Sequence, residues 1–81
     1  MIVVDTVTAY MGFADRLKAE LADRNLSQAR FSTQLGISYD LINCYANGRR
    51  IPSYRNMLRM IEYLHGVDVS WFVTGQGEEE V

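Results

Sequence analysis

The residues from Gln28 to Asn47, Q-A-R-F-S-T-Q-L-G-I-S-Y-D-L-I-N-C-Y-A-N, leave this chain few folds to choose from. They read as two short helices joined by one tight turn. Ser27 is a suitable N-cap, because its hydroxyl accepts from the free N–H groups of a first helical turn. Phe31 and Leu35 then lie one turn apart on a single face. Gly36 follows the last apolar residue, where a helix commonly ends in the left-handed region that a Cβ disfavours. Ile37 is an apolar plug after the turn, and Ser38 is a second N-cap. Ile42 and Tyr45, three residues apart, give the second helix its inner face, and Asn47-Gly48 closes it.

The flanking sequence supplies more helices and no internal repeat. Phe13, Leu17 and Leu21 recur every four residues, with Asp15, Arg16, Lys18 and Glu20 on the other sides, so 13–24 is an amphipathic helix with Asn25 as its C-cap. Gly48 to Pro52 is a loop, and proline disfavours helix at Ile51 before it. Ser53 caps a fourth helix, roughly 54–65, whose buried face is traced by Met57, Leu58, Ile61 and Leu64, with Met60 at or near the core. Gly66 ends it. Asp68 or Ser70 caps a short fifth helix around 69–73, with Trp71 as its largest anchor. The expected fold is all-α: a compact five-helix bundle containing a helix-turn-helix.

Three regions follow. Residues 13–74 form the helical domain and 75–81 an acidic tail or linker, with Glu78, Glu79 and Glu80 in solvent. Residues 1–12 are rich in β-branched side chains, and a short strand, an added helical turn and a loose end all fit them. Lacking Lys and Arg, this extension suits an apolar strip that pairs two subunits better than an arm that wraps a duplex. The chain is either complete or the N-terminal domain of a longer protein cut at Gly75-Gln76-Gly77.

The spacing of Leu26-Ser27-Gln28, Phe31, Ser32, Leu35, Gly36, Ile37, Ile42 and Tyr45 resembles the helix-turn-helix of the phage Cro and repressor family, the XRE-like regulators. Ser32 stands where that family usually has alanine. Asn47-Gly48-Arg49-Arg50-Ile51-Pro52-Ser53 resembles the family's loop after the recognition helix, and Trp71-Phe72-Val73-Thr74-Gly75 its ending in phage repressors. The resemblance implies a lambda-repressor-like DNA-binding domain that acts as a homodimer on a double-stranded operator. It also implies that Gln28 braces the recognition helix and contacts the DNA backbone.

Charge agrees with that implication in its distribution rather than its sum. The net charge is −2, which argues against a purely electrostatic nucleic-acid binder. Residues 30–59, however, carry Arg30, Arg49, Arg50, Arg55 and Arg59 against Asp40 alone. Residues 60–81 are acidic. A basic third beside the two-helix motif is what phosphate contact needs. No run reaches membrane-spanning length and no signal peptide is visible, so a cytoplasmic protein of a bacterium or phage-infected cell is expected. A single cysteine excludes an internal disulfide and a Cys-rich zinc site. No catalytic set, metal-ligand spacing or phosphate-cradling loop is present, so no enzyme and no cofactor is expected.

With Ile42 and Tyr45 inward, Tyr39, Asp40, Asn43 and Cys44 face out and are the candidate base contacts. Asn43 suits adenine, and Asp40 either accepts from cytosine or supports the first turn through the helix dipole. Gln28, Ser38, Asn47, Arg49, Arg50 and Arg55 are the candidate backbone contacts, with Asn47 equally suited to capping its helix. Arg30 and Arg59 are expected in surface ion pairs. Cys44 reads as a small neutral residue rather than a redox sensor. The outward face carries no Arg or Lys, which leaves a second reading open. In it the fold serves as a protein-interaction module, an antitoxin or the partner of an antirepressor.

Overall fold

The structure, a computed structural model, describes residues 6–75, with side chains from residue 12 onward. Five helices follow one another: α1 (Thr6–Asp23), α2 (Gln28–Leu35), α3 (Tyr39–Asn47), α4 (Tyr54–Tyr63) and α5 (Val69–Thr74). Among the described residues there is no strand. The expected caps are in place. Ser27, Ser38, Ser53 and Asp68 each accept, through a side-chain oxygen, from a backbone N–H three residues on. Asn25 takes φ 55° and ends the turn after α1.

One core joins all five helices. Phe13, Leu17 and Leu21 of α1 meet Phe31 of α2, Ile42, Tyr45 and Ala46 of α3, Met60 of α4, and Phe72 of α5, with Ile37 and Leu64 completing it. Phe13 and Phe72 pack edge to face at 5.1 Å, and Phe31 and Tyr63 do so at 5.8 Å.

Four expectations need correction. First, α1 begins at Thr6, earlier than the start expected at residue 13: of the three readings of the extension, added helix holds for 6–12 and the strand does not. Once a helix is nucleated each further residue adds a hydrogen bond, which outweighs the weak propensity of Thr6, Val7 and Thr8. The rest of that extension lies outside the described residues. Second, α4 is turned differently: Met60 and Leu64 are fully buried, Met57 and Ile61 flank them, and Leu58 is 42% exposed. Leu58 stands two residues from Met60 and therefore nearly opposite it on a helix. The helix also stops at Tyr63, with the chain reversing at Gly66, φ 83°. Third, Phe72 rather than Trp71 anchors α5: it is fully buried against Phe13, whereas Trp71 is half-buried. Fourth, Arg30 and Arg59 form no ion pair among the described residues.

Arg16 holds α5 to α1. Its Nε donates to the Phe72 carbonyl at 2.9 Å and its Nη2 to the Val73 carbonyl at 3.2 Å. These are end-of-helix carbonyls that α5 cannot pair itself. Glycine lets the guanidinium in: a Cβ at Gly12 or Gly75 would lie 2.7 or 2.8 Å from Arg16 Nη1. Burial lowers the Arg16 pKa, partly opposed by Asp15, but an arginine remains cationic at any pH at which the fold works. At the other end of α1, Arg24 pairs with Glu20 at 2.9 Å and donates to the His65 carbonyl at 2.9 Å.

Candidate nucleic-acid interface

The turn between α2 and α3 decides where α3 points. Gly36 sits at φ 71°, ψ 28°, and its N–H donates to the Ser32 carbonyl at 2.9 Å. The Ile37 N–H reaches the same carbonyl at 3.2 Å. Ser32 answers through its side chain as well, its hydroxyl donating to the Ile37 carbonyl at 2.7 Å. A residue that is 9% exposed thus satisfies its own hydroxyl and a turn carbonyl together. This is the physical content of the serine found in place of the family's alanine.

Ile42, Tyr45 and Ala46 are buried and fix the rotation of α3 about its axis. The Tyr45 hydroxyl accepts from Asn56 Nδ2 at 2.9 Å, which ties α3 to α4 through the one polar atom on its inner face. The opposite side of α3 is left open. Tyr39 is 50% exposed, Asp40 and Asn47 are exposed, and Asn43 and Cys44 are half-buried.

A line of three amides crosses this open side. Asn43 Nδ2 donates to Gln28 Oε1 at 3.1 Å, and Asn47 Nδ2 donates to Asn43 Oδ1 at 2.9 Å. Gln28, at the start of α2, therefore grips the middle of α3, and Asn47 grips it from one turn further on. The Asn47 side chain does not cap α3; the glycine after it, Gly48 at φ 78°, ends the helix by donating to the Cys44 and Tyr45 carbonyls. Asn43 is held at both ends of its amide yet keeps one N–H and one lone pair for another partner.

Arg49, Arg50 and Arg55 follow α3, all exposed. None of their side chains takes a hydrogen bond or ion pair among the described residues. Ser38 and Ser53 stand exposed at the N-termini of α3 and α4, their hydroxyls engaged as caps. Two residues near or behind this surface escape a reading of the sequence. Tyr54, 80% exposed beside Arg55, carries no signal: three, four and seven residues before Met57, Leu58 and Ile61, it reads as part of the apolar stripe of α4. Arg16 carries none, because its partners lie at the far end of the chain. No group of three metal-ligating side chains occurs among the described residues. No helix there is long and apolar enough to cross a membrane.

No curated protein and no solved structure matches the chain. A family model does: helix-turn-helix, over residues 17–72. That span runs from the buried Leu17 of α1 to the buried Phe72 of α5 and contains the turn at Gly36, the whole of α3 and the arginine loop. The chain belongs to the XRE/Cro-like helix-turn-helix family and is a DNA-binding regulator of that kind.

Proposed function

We propose that the protein is a sequence-specific transcriptional regulator, a phage or prophage repressor or Cro-like protein, that binds a palindromic double-stranded operator as a dimer. One observation carries the reading. The inward anchors of α3 leave its other side open, and three arginines without partners among the described residues follow it in sequence. An α-helix fits the major groove of B-DNA, and arginines beside it can neutralise phosphates.

In this reading Tyr39, Asp40, Asn43 and Cys44 meet base edges. Asn43 offers adenine its remaining N–H and lone pair, in an orientation set by Gln28 and Asn47. Gln28, Ser38, Asn47, Arg49, Arg50 and Arg55 meet the backbone and set the register. One helix reads only a few base pairs, so two copies on half-sites about 34 Å apart supply useful affinity.

Selection of bound duplexes from a random library at about 0.1 M salt tests this, since charges are then screened beyond roughly 10 Å. The expected result is a palindrome with half-sites one helical turn apart. No enrichment by folded protein would overturn the reading. It would favour the second one, a protein-interaction module on the same fold that works as an antitoxin or with an antirepressor. The observation on that side is that the open face of α3 carries Asp40 and no Arg or Lys.

A further inference from the structure

We propose that the outer face of α4 is the surface on which two copies of this chain meet, antiparallel, about a two-fold axis beside Leu58. The proposal rests on the dimeric reading above and names the contact it lacks.

With Met60 and Leu64 inward, Tyr54, Arg55, Leu58 and Glu62 fall together on the outward side of the helix. Tyr54 is 80% exposed and Leu58 42%, and Ile51, 49% exposed, lies just before the helix. Three large apolar residues therefore stand in water within eight positions of sequence. Arg55 and Glu62 flank them. Neither side chain has an ion-pair or hydrogen-bond partner among the described residues.

Charge complementarity selects the occupant and its direction. Arg55 and Glu62 are seven positions apart, roughly 10 Å along the helix. The point midway between them falls beside Leu58. A two-fold contact sets residue i against j and j against i. Turning a second α4 about that midpoint therefore places Arg55 of each copy against Glu62 of the other, twice. It also places Leu58 against Leu58, with Tyr54 covering the ends. A parallel pairing would set arginine on arginine and glutamate on glutamate. Arg59, further round the helix, stays at the rim. A standard interface uses about 20–30 residues a side, and this one is far smaller. The dimer is accordingly weak in free solution; on a duplex, where the reading above sets Arg55 on the backbone, the Leu58 and Tyr54 contacts remain and the duplex itself holds both copies.

Sedimentation equilibrium of the full chain without DNA, from micromolar to millimolar, tests the surface apart from any role of Arg55 on phosphate. The expected result is a weak monomer–dimer equilibrium that Leu58→Asp loosens by about tenfold or more. Arg55→Glu and Glu62→Arg should each loosen it by roughly threefold to tenfold, and the double reversal should recover most of the loss. Circular dichroism confirms that each variant folds. If Leu58→Asp does not fold, the charge reversals decide. A wild-type chain that stays monomeric to millimolar overturns the proposal, as does a dimer indifferent to these changes. Loosening by both single reversals without recovery in the double overturns the antiparallel pairing. A chain that dimerises as expected but enriches no duplex keeps this surface and loses the operator reading.

Discussion

The joint between α2 and α3 and the seam between α1 and α5 do similar work by opposite means. At the joint every contact that shapes the turn comes from within a few residues: Ser27 on Arg30, Gly36 on Ser32, Ser32 on Ile37, Ser38 on Leu41. At the seam Arg16 reaches across 56 positions to the Phe72 carbonyl, and Phe13 meets Phe72 from further still. The joint's local bonds set the turn, and the buried Ile42, Tyr45 and Ala46 then set the rotation of α3. The seam's distant partners hold α5 to α1, away from the open side of α3. Stability and presentation are therefore separable here, and substitutions can show how far.

The largest effect is expected at the core shared by both regions. Phe31→Ala removes a fully buried ring packed on Tyr63 and should cost about 3–5 kcal/mol, a large share of the stability of so small a domain. Denaturant titration measures it. A loss below about 1 kcal/mol would show that α2 is not seated as described.

Next is the turn itself. An added Cβ at Gly36 meets no atom within 4 Å, so only its positive φ opposes substitution. Gly36→Ala should cost roughly 1–2 kcal/mol and Gly36→Asn less, because asparagine tolerates the left-handed region better. Equal losses for the two, in thermal melts, would break the claim that conformation alone requires glycine there.

Arg16→Met keeps the apolar stem and removes the guanidinium from the Phe72 and Val73 carbonyls. With one of these bonds exposed, about 1 kcal/mol is expected. The sharper readout is paired: fluorescence of Trp71, which lies on the freed helix, should change while duplex affinity of the folded protein does not. A fall in affinity as large as the fall in stability would show that the two regions are coupled.

The smallest effect is Ser32→Ala. It leaves the Ile37 carbonyl without its hydroxyl donor but creates little space, for a loss of about 1 kcal/mol or less by calorimetry. A gain in stability would mean the serine serves something other than the turn.

Much of the candidate site was legible because its determinants are close in sequence. Ser27, Gly36, Ile37, Ser38, Ile42 and Tyr45 could be placed from spacing, since caps, turns and helical faces repeat over three or four residues. Placing Ile42 and Tyr45 inward also fixed which side of α3 stays open. The hydrogen bonds that hold Asn43 were beyond that reach, because Gln28 lies 15 positions away on another helix. Two large apolar residues misled for a related reason. Leu58 and Trp71 look like core by size, yet Met60 and Phe72 took the inward positions, because their neighbours across the core decide which side of a short helix turns in.

The sequence by itself determined five helical segments, the cap that begins each of α2 to α4, and the turn at Gly36, and it narrowed the cap of α5 to Asp68 or Ser70. These are settled by bonds each stretch makes with itself. The tertiary structure alone decided the rotation of α4, the burial of Phe72, the grip of Arg16 on α5, and the three-amide line across α3. Each of those depends on a partner that only folding brings near, and side-chain type says little about which partner that will be.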